Sequence, residues 1–271
     1  MQGLGDRIEA EGYPLPVAIH AVVFDLFDTL VDLSMESLPR TTLNGREVPS
    51  TMGGLHEALR EHTELGFDEF SKALLEVDRE HRVTRYREHL EFPTVLRFEI
   101  LCERLELTAP HLPQLLTDIH MGMIRSCASV PDHHPGVLEA LCARVPVGLC
   151  SNFSDSATAQ RVLDEAGIAR HFEAVVISED VGLRKPHAGI FEVVVDRLGV
   201  TPAKTLHVGD NLEADVAGAH SLGMQTAWLT RRVKQPETKL AAYEGGRPTF
   251  ELEDISEILP LVGKKSDGRE T

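Results

Sequence analysis

AVVFDLFDTL, residues 21–30, is the stretch of sequence from which the fold of this chain can be inferred. Its first four residues are apolar and mostly β-branched or aromatic, which predicts a short buried strand. Asp25 follows where this strand is expected to end, and a charge at such a position is costly unless it has a chemical role. Phe27, two positions further on, cannot transfer a proton. The stretch therefore predicts a strand that ends on a reactive carboxylate.

Further apolar runs of strand length occur later in the chain, each followed by a small or polar residue. They are Val145–Cys150, Ala174–Ile177, Thr205–Val208 and Gln225–Leu229. Helical patterns separate them, each followed by a glycine that suits a helix C-terminus. These patterns are Asp155–Ala166, Ala188–Leu198 and Leu212–Leu222. Strands and helices that alternate with short links predict an α/β fold in which helices cover both faces of a parallel sheet.

Residues 34–130 show a different pattern, without a convincing strand run. Amphipathic spacing predicts helices at Asp68–His81, Phe92–Leu105 and Pro113–Ser126. The segments Leu38–Gly54 and Arg231–Thr249 are interrupted by Pro and Gly, which predicts loops. The expected organisation is an N-terminal tail at 1–17, an α/β core at 18–33 and 131–271, and an inserted helical cap at 34–130.

The composition excludes several classes of partner. The chain has 271 residues, 42% of them hydrophobic, and a formal net charge of −16, which argues against binding to nucleic-acid phosphates. No apolar stretch approaches the length of a membrane span, and the N-terminus lacks the apolar centre of a secretory signal. The four cysteines form no C-x-x-C pair, which is typical of reduced thiols. We therefore expect a cytoplasmic protein without nucleic-acid or membrane partners, whose oligomeric state is open.

Polar side chains that are far apart in sequence lie at or shortly after the predicted strand ends, which form the edge at which parallel sheets bind ligands. They are Asp25, Ser151, Asn152, Lys185, Asp210 and Asp215. A carboxylate such as Asp25 can attack phosphorus or carbon and form a covalent intermediate. Hard oxygen ligands suit Mg²⁺, and Asp210 and Asp215 are spaced so that both can face one ion. Lys185 would neutralise charge, and Ser151 near a helix N-terminus would hold phosphoryl oxygens.

In order and spacing, these motifs resemble those of the haloacid dehalogenase (HAD) superfamily of hydrolases. The matching segments are Asp25–Leu30, Leu149–Asn152, Arg184–Pro186 and Gly209–Asp215, within a resemblance that spans about Ala18–Leu261. The resemblance implies a Rossmann-like core and a C1-type helical cap of subfamily I. It also implies hydrolysis of a small phosphorylated or halogenated substrate.

The resemblance further implies a role for each residue of the cluster. Asp25, Ser151 and Lys185 would be catalytic, and Ser151, Asn152 and Lys185 would bind the transferred group. The implied nucleophile is Asp25. Mg²⁺ would be held by Asp25, the backbone carbonyl of Phe27 and Asp210, with Asp215 supporting it directly or through water.

The first motif departs from the pattern of the family's phosphatases. These usually have a second Asp two residues after the nucleophile, which protonates the leaving group and later activates water, and Phe27 occupies that position. Dehalogenases of the family have an aromatic residue there, usually Tyr, but they need no metal and typically lose the acidic pair that this chain keeps as Asp210 and Asp215. We therefore favour phosphoryl transfer, with dehalogenation as one alternative and a catalytically weak binding or assembly protein as another. Asp28 is expected to be a turn or cap residue.

Other residues with chemical potential receive simpler interpretations. His133-His134 resembles a metal-binding pair, although a solvated turn before a helix is favoured. His207 is expected to be a core histidine with satisfied hydrogen bonds, and Cys150 to pack within a strand. The basic cluster at residues 81–89 is expected to be a solvated helix face, with one arginine able to contact a second substrate anion.

Overall fold

The computed structural model describes residues 17–263, so the tail predicted at 1–17 lies outside the described residues except for Val17. The strands are β1 (Ala21–Phe24), β2 (Asp32–Leu33), β3 (Arg40–Leu43), β4 (Arg46–Pro49), β5 (Ala128–Ser129), β6 (Val147–Ser151), β7 (Ala174–Ile177), β8 (Thr205–Gly209), β9 (Gln225–Leu229) and β10 (Phe250–Leu252). The α-helices are α1 (Met52–Leu59), α2 (Phe67–Val77), α3 (Val83–Arg87), α4 (Thr94–Arg104), α5 (Leu112–Arg125), α6 (His134–Cys142), α7 (Ser156–Glu165), α8 (Ser178–Val181), α9 (Ala188–Leu198), α10 (Gly218–Ser221) and α11 (Pro236–Ala242). Within residues 17–263, no helix has both the length and the apolar character needed to cross a bilayer.

Six strands form one parallel sheet in the order β10-β9-β8-β1-β6-β7. β1 lies between β6 and β8, and Phe24 pairs with Leu149 on one side and Val208 on the other. Every residue of β1, β6, β8 and β9 is buried, as expected for apolar strands inside a parallel sheet. The predicted α/β class is confirmed, and the order places the residue after β1 between the ends of its two neighbouring strands.

Helices cover both faces of this sheet because successive strand residues point to opposite sides. On one face Phe24 belongs to the cluster that contains Leu138 of α6. On the other face Val23 belongs to a cluster with Phe191 and Val194 of α9. Burial of each large apolar side chain contributes roughly 1.5–3 kcal/mol, so the two clusters fix the end of β1 firmly.

The chain leaves this core after β2 and returns at β5, and the two strands pair antiparallel with Leu33 opposite Ala128. We call the residues between them, 34–127, the helical insertion. Helices α1, α2, α4 and α5 of the insertion pack around their own cluster of buried apolar residues. Members of this cluster include Leu55, Leu59, Phe70, Leu74, Phe98, Leu101 and Leu116. The insertion therefore has a hydrophobic core separate from that of the sheet.

The prediction that the inserted segment lacks strands was wrong near its start. β3 and β4 form an antiparallel hairpin where Leu38–Gly54 was expected to be an irregular loop. Asn44 and Gly45 both have positive φ, 50° and 72°, as the two central residues of a tight hairpin turn require. The Asn-Gly pair was the available signal. It was missed because no residue of these strands is buried and neither strand contains an apolar run.

The loop predicted at Arg231–Thr249 was also wrong in part, because it contains α11. Pro236 occupies the first helical position, where its missing N–H has no cost, and Leu240 packs in a cluster with Trp228. The helix predicted at Leu212–Leu222 begins as a π-helical turn before it continues as α10. Neither helix α1 nor edge strand β10 was predicted.

A buried polar network lies inside the helical insertion. Arg97 of α4 donates two hydrogen bonds to Asp78, with Nε–Oδ1 at 2.8 Å and Nη2–Oδ2 at 2.7 Å. His120 of α5 has Nδ1 2.8 Å from Oγ1 of Thr51, and its Nε2 faces Arg97. Burial, reinforced by Arg97 and Arg82, lowers the pKa of His120 to about 3. The histidine is therefore neutral in the folded protein.

This network predicts a loss of stability on acidification. The pKa of an unfolded histidine is about 6.5, so between about pH 6.5 and pH 3 the unfolded chain binds a proton that folded His120 does not. The contribution of His120 to the free energy of unfolding should therefore fall as pH drops through this window, by up to about 1.4 kcal/mol per pH unit. Urea unfolding at pH 7.5, 6.0 and 5.0 would measure the slope.

His120→Gln should reduce that slope by up to one proton's contribution. The matched control, His220→Gln, replaces an exposed histidine and should leave the slope unchanged. Equal slopes in the parent and in His120→Gln would contradict the assignment.

Candidate active site

The ends of β1, β6 and β8 and the loop after α8 bring the predicted polar residues to one edge of the sheet. Asp25 follows β1, Ser151 ends β6, Lys185 lies on the loop after α8, and Asp210 follows β8. The backbone N–H of Asp25 donates to the carbonyl of Val208 at 2.9 Å, which fixes the carboxylate beside the end of β8. The strand order therefore assembles groups that are far apart in sequence.

Lys185 forms the centre of the cluster. Its Nζ donates to Oδ1 of Asp25 and to Oδ1 of Asp215, both at 2.6 Å, and the residue is only 4% exposed. Burial alone would lower the pKa of Lys185, but the two carboxylates raise it well above its usual value. The ammonium is therefore permanently charged and joins the two acids.

The side chain of Asn152 holds Lys185 in place. Its Oδ1 accepts from the backbone N–H of Lys185 at 2.7 Å, and its Nδ2 donates to the carbonyl of the same residue at 2.9 Å. Asn152 thus contacts the lysine backbone rather than an open face of the site. Its predicted contact with the transferred group stays a prediction.

Asp215 is fully engaged by hydrogen bonds. Besides Lys185, Nε2 of His207 lies 3.0 Å from its Oδ1, and the backbone N–H of Asn211 donates to its Oδ2 at 3.0 Å. Burial would raise the pKa of Asp215, but Lys185 and His207 hold it below its ordinary value. His207 was expected to be fully satisfied, yet its Nδ1 is buried without a partner among residues 17–263.

Lys185 and Asp215 compensate each other in charge, which leaves Asp25 and Asp210 as the further acidic groups of the cluster. Burial raises the pKa of Asp25 to about 6, and Asp215 raises it too, although Lys185 opposes both. Burial, then Asp25, Asp215 and Asp28, raise the pKa of Asp210 to about 7. Oxygen atoms of Asp25, Asp210 and Asp215 lie within 4.8 Å of one another. This crowded set of hard oxygen donors fits a divalent cation such as Mg²⁺.

Phe27, two residues after Asp25, adds an aromatic ring to this part of the chain. Its ring packs against Phe153 with the ring centroids 4.8 Å apart. Asp28 adopts a positive φ of 58°, and its Oδ1 accepts from the backbone N–H of Leu33 at 3.2 Å and from Nε of Arg232 at 2.7 Å. These contacts are those of a turn residue. Its ion pair with Arg232 could not be seen in the sequence.

The helical insertion is fixed to the loop that carries Lys185. Glu91 is 2% exposed, and its carboxylate accepts from Oγ of Ser178 and from Nη1 of Arg184. The guanidinium of Arg184 stacks over Tyr86, 3.9 Å from the ring centroid. Backbone hydrogen bonds join Glu91 N–H to the carbonyl of Gly182, and Arg184 N–H to the carbonyl of residue 89. Sequence reasoning missed this contact because its partners are far apart in the chain.

Cys150, His134 and the basic cluster at residues 81–89 make contacts that stabilise the fold. Burial raises the pKa of Cys150 to about 12, so its thiol is protonated and packs inside β6. The predicted solvated turn at His133-His134 was wrong for His134, which begins α6 and is fully buried. In the basic cluster, Arg85 Nη1 donates to the carbonyl of Glu91 at 3.3 Å, and Arg82 approaches Asp78.

Comparisons with known proteins find similar sequences. Residues 19–223 match the family model of haloacid dehalogenase-like hydrolases. The chain is 30% identical over 213 residues to the 5-amino-6-(5-phospho-D-ribitylamino)uracil phosphatase YigB of Escherichia coli, covering 78% of this chain and 83% of the relative. It is 28% identical over 247 residues to the glyceraldehyde 3-phosphate phosphatase of Methanopyrus kandleri, covering 90% and 97%.

A solved structure is also similar. The 2-haloacid dehalogenase from Pseudomonas syringae superposes with a TM-score of 0.64 at 21% identity, covering 90% of this chain and 97% of that one. At this identity the likeness shows the fold alone.

Substitution of Gly209 by alanine would test how tightly the site is packed. A Cβ at this position would lie 2.2 Å from Cγ of Asp215, so Gly209→Ala must displace a carboxylate bonded to Lys185. We expect a loss of roughly 1–3 kcal/mol in the free energy of unfolding, measured in urea. The control, Gly122→Ala in α5, meets nothing within 4 Å and should be neutral or stabilising by up to about 1 kcal/mol. Equal stabilities of the two variants would contradict this packing.

Proposed function

The chain belongs to the haloacid dehalogenase-like hydrolase family, and from this premise we propose that it is a Mg²⁺-dependent phosphatase of small phosphorylated metabolites. The observation that carries the proposal is the cluster of Asp25, Asp210 and Asp215 around the buried ammonium of Lys185. A hydrolase that attacks carbon has no need of this surplus of carboxylates. The phosphatase names of the two relatives agree with this choice.

We assign the covalent step to Asp25. Its carboxylate oxygen attacks phosphorus, the bond from phosphorus to the leaving oxygen breaks, and an aspartyl-phosphate forms. Water then attacks this phosphorus, which releases inorganic phosphate and restores the carboxylate. Lys185 keeps Asp25 ionised and neutralises charge on the transferred group, and Ser151 binds its oxygens.

The acidic residues would hold the cation. Asp25, Asp210 and the backbone carbonyl of Phe27 are the proposed ligands of Mg²⁺, and Asp215 supports them through its hydrogen bonds. The ion would supply positive charge that lets a phosphate dianion approach three carboxylates. The proposed setting is the cytoplasm, without nucleic-acid or membrane partners.

Metal dependence tests this proposal. With p-nitrophenyl phosphate as substrate, hydrolysis should require Mg²⁺, stop when EDTA is added and return with excess Mg²⁺. Asp25→Asn should reduce the rate to background, because it removes the nucleophile but keeps the shape of the side chain. Release of p-nitrophenol is the readout, with the circular dichroism spectrum as a check on folding. Hydrolysis that EDTA does not affect would contradict the proposal.

Phe27 favours a second candidate, a hydrolase that releases halide by attack of Asp25 on carbon. Release of chloride from 2-chloropropionate in the presence of EDTA, without hydrolysis of any phosphate ester, would support it. Inactivity towards both substrate classes with Mg²⁺ present would instead support a binding or assembly role.

Phe27 also limits which phosphate esters react well. No side chain at this position can protonate the leaving oxygen, so esters with good leaving groups, such as aryl or acyl phosphates, should be preferred. Phe27→Asp should raise the rate on an alkyl phosphate by up to about 10²–10⁴-fold and change the rate on an aryl phosphate much less. The control, Phe27→Leu, removes the ring but adds no acid and should show no such gain. If Phe27→Asp showed no gain on the alkyl ester, the lack of a general acid would not be what limits the rate.

A further inference from the structure

We propose that His133, His134 and Asp254 form a second metal site, which binds a borderline transition-metal ion such as Zn²⁺. One ligand atom from each residue lies within 4.8 Å of the others. The two histidines are at the start of α6, and Asp254 follows β10. These residues take no part in the proposed phosphatase chemistry, so the site is independent of that function.

The tautomer of His134 is the first argument. Its Nδ1 lies 2.8 Å from the backbone carbonyl of Leu30, which can only accept, so Nδ1 carries the hydrogen. Nε2 therefore has a free lone pair. It is buried and has no hydrogen-bond partner among residues 17–263, and the residue as a whole is 0% exposed. Metal-binding histidines commonly donate their other N–H to a carbonyl in this way.

His133 and Asp254 supply the remaining ligand atoms. Nε2 of His133 lies 2.8 Å from Oδ2 of Asp254. Oδ1 of Asp254 accepts from the backbone N–H of Ser256 at 2.9 Å, which orients the carboxylate. The side chain of His133 is 52% exposed and that of Asp254 29%, so an ion can enter from solvent.

A simple ion pair explains only part of this arrangement. It accounts for His133 and Asp254, but it leaves the lone pair of His134 buried and unused, which is costly. The imidazole rings of His133 and His134 lie edge to face with their centroids 4.7 Å apart. A metal ion would be coordinated by His133, His134 and Asp254 together.

The protonation states and the nearby charges are compatible with a cation. Burial lowers the pKa of His134, and hydrogen bonds from Ser256 and His133 hold the pKa of Asp254 at about 2 although burial opposes them. Both are therefore in the metal-binding form at neutral pH. The charge of Arg231 also lowers the pKa of His134, but its guanidinium is ion-paired with Asp32.

The donor set selects the class of ion. Two imidazoles and one carboxylate suit Zn²⁺, Co²⁺ or Ni²⁺, whereas Mg²⁺ prefers an all-oxygen set. Three protein ligands leave room for water. A bound ion would join the start of α6 to the capped turn at Ile255–Ile258 and, through the carbonyl of Leu30, to the loop that carries Asp25.

Calorimetric titration of the full chain with Zn²⁺, in excess Mg²⁺ to saturate the carboxylate cluster, tests the proposal. We expect one Zn²⁺ per chain. His133→Ala, an exposed position, should weaken binding by at least about tenfold. His134→Gln should do the same, and its circular dichroism spectrum would show that it folds. The control His220→Ala and the variant Asp25→Asn should bind Zn²⁺ like the parent.

Cobalt gives a second readout of the ligands. Co²⁺ at this site should show visible absorption bands that shift or disappear in His133→Ala. Absence of Zn²⁺ binding by the Mg²⁺-saturated parent would overturn the proposal. Zn²⁺ binding that survives both histidine substitutions, or that only Asp25→Asn removes, would also overturn the proposal. A lack of phosphatase activity would not overturn it, because the readout is metal binding.

Discussion

The ammonium of Lys185 between the carboxylates of Asp25 and Asp215 is the interaction on which the structure around the sheet edge depends. Removal of one partner from such a buried group leaves an uncompensated charge, at a cost of about 3–5 kcal/mol. The surrounding contacts hold the three groups together. β1 and β8 deliver the acids, and Asn152 at the end of β6 fixes the lysine backbone. The fold therefore serves to keep three distant residues at hydrogen-bond distance.

The charge of these acids is only partly compensated at this edge, and the proposed chemistry follows from that. One ammonium faces the carboxylates of Asp25, Asp210 and Asp215, and the raised pKa values of Asp25 and Asp210 reflect the excess negative charge. A divalent cation would balance the set and an incoming phosphate. The neighbouring rings of Phe27 and Phe153 provide no proton, so the site combines strong electrostatic stabilisation with weak general-acid capability.

Local patterns in the sequence predicted the parallel sheet and the residues at its edge, because apolar runs determine buried strands and strand ends meet at one edge. They did not predict the hairpin at residues 40–49, whose strands contain no buried residue. Pairs such as Asp28 with Arg232, or His207 with Asp215, could not be predicted, since tertiary packing alone brings them together. The buried ring of His134 likewise hydrogen-bonds the carbonyl of Leu30, which lies about a hundred residues earlier in the chain.

The contact of Glu91 with Ser178 and Arg184 determines which parts of the protein are interchangeable. A chimera that exchanged the helical insertion alone would leave Arg184 and Ser178 without their buried carboxylate, next to the lysine that binds Asp25. A transplantable unit would therefore have to include, besides the insertion, core residues 178–184 and Ser154, whose carbonyl accepts from the backbone N–H of Thr94. Exchange of the insertion for one of different sequence would therefore also require changes in these core segments, although 87 residues separate Glu91 from Ser178.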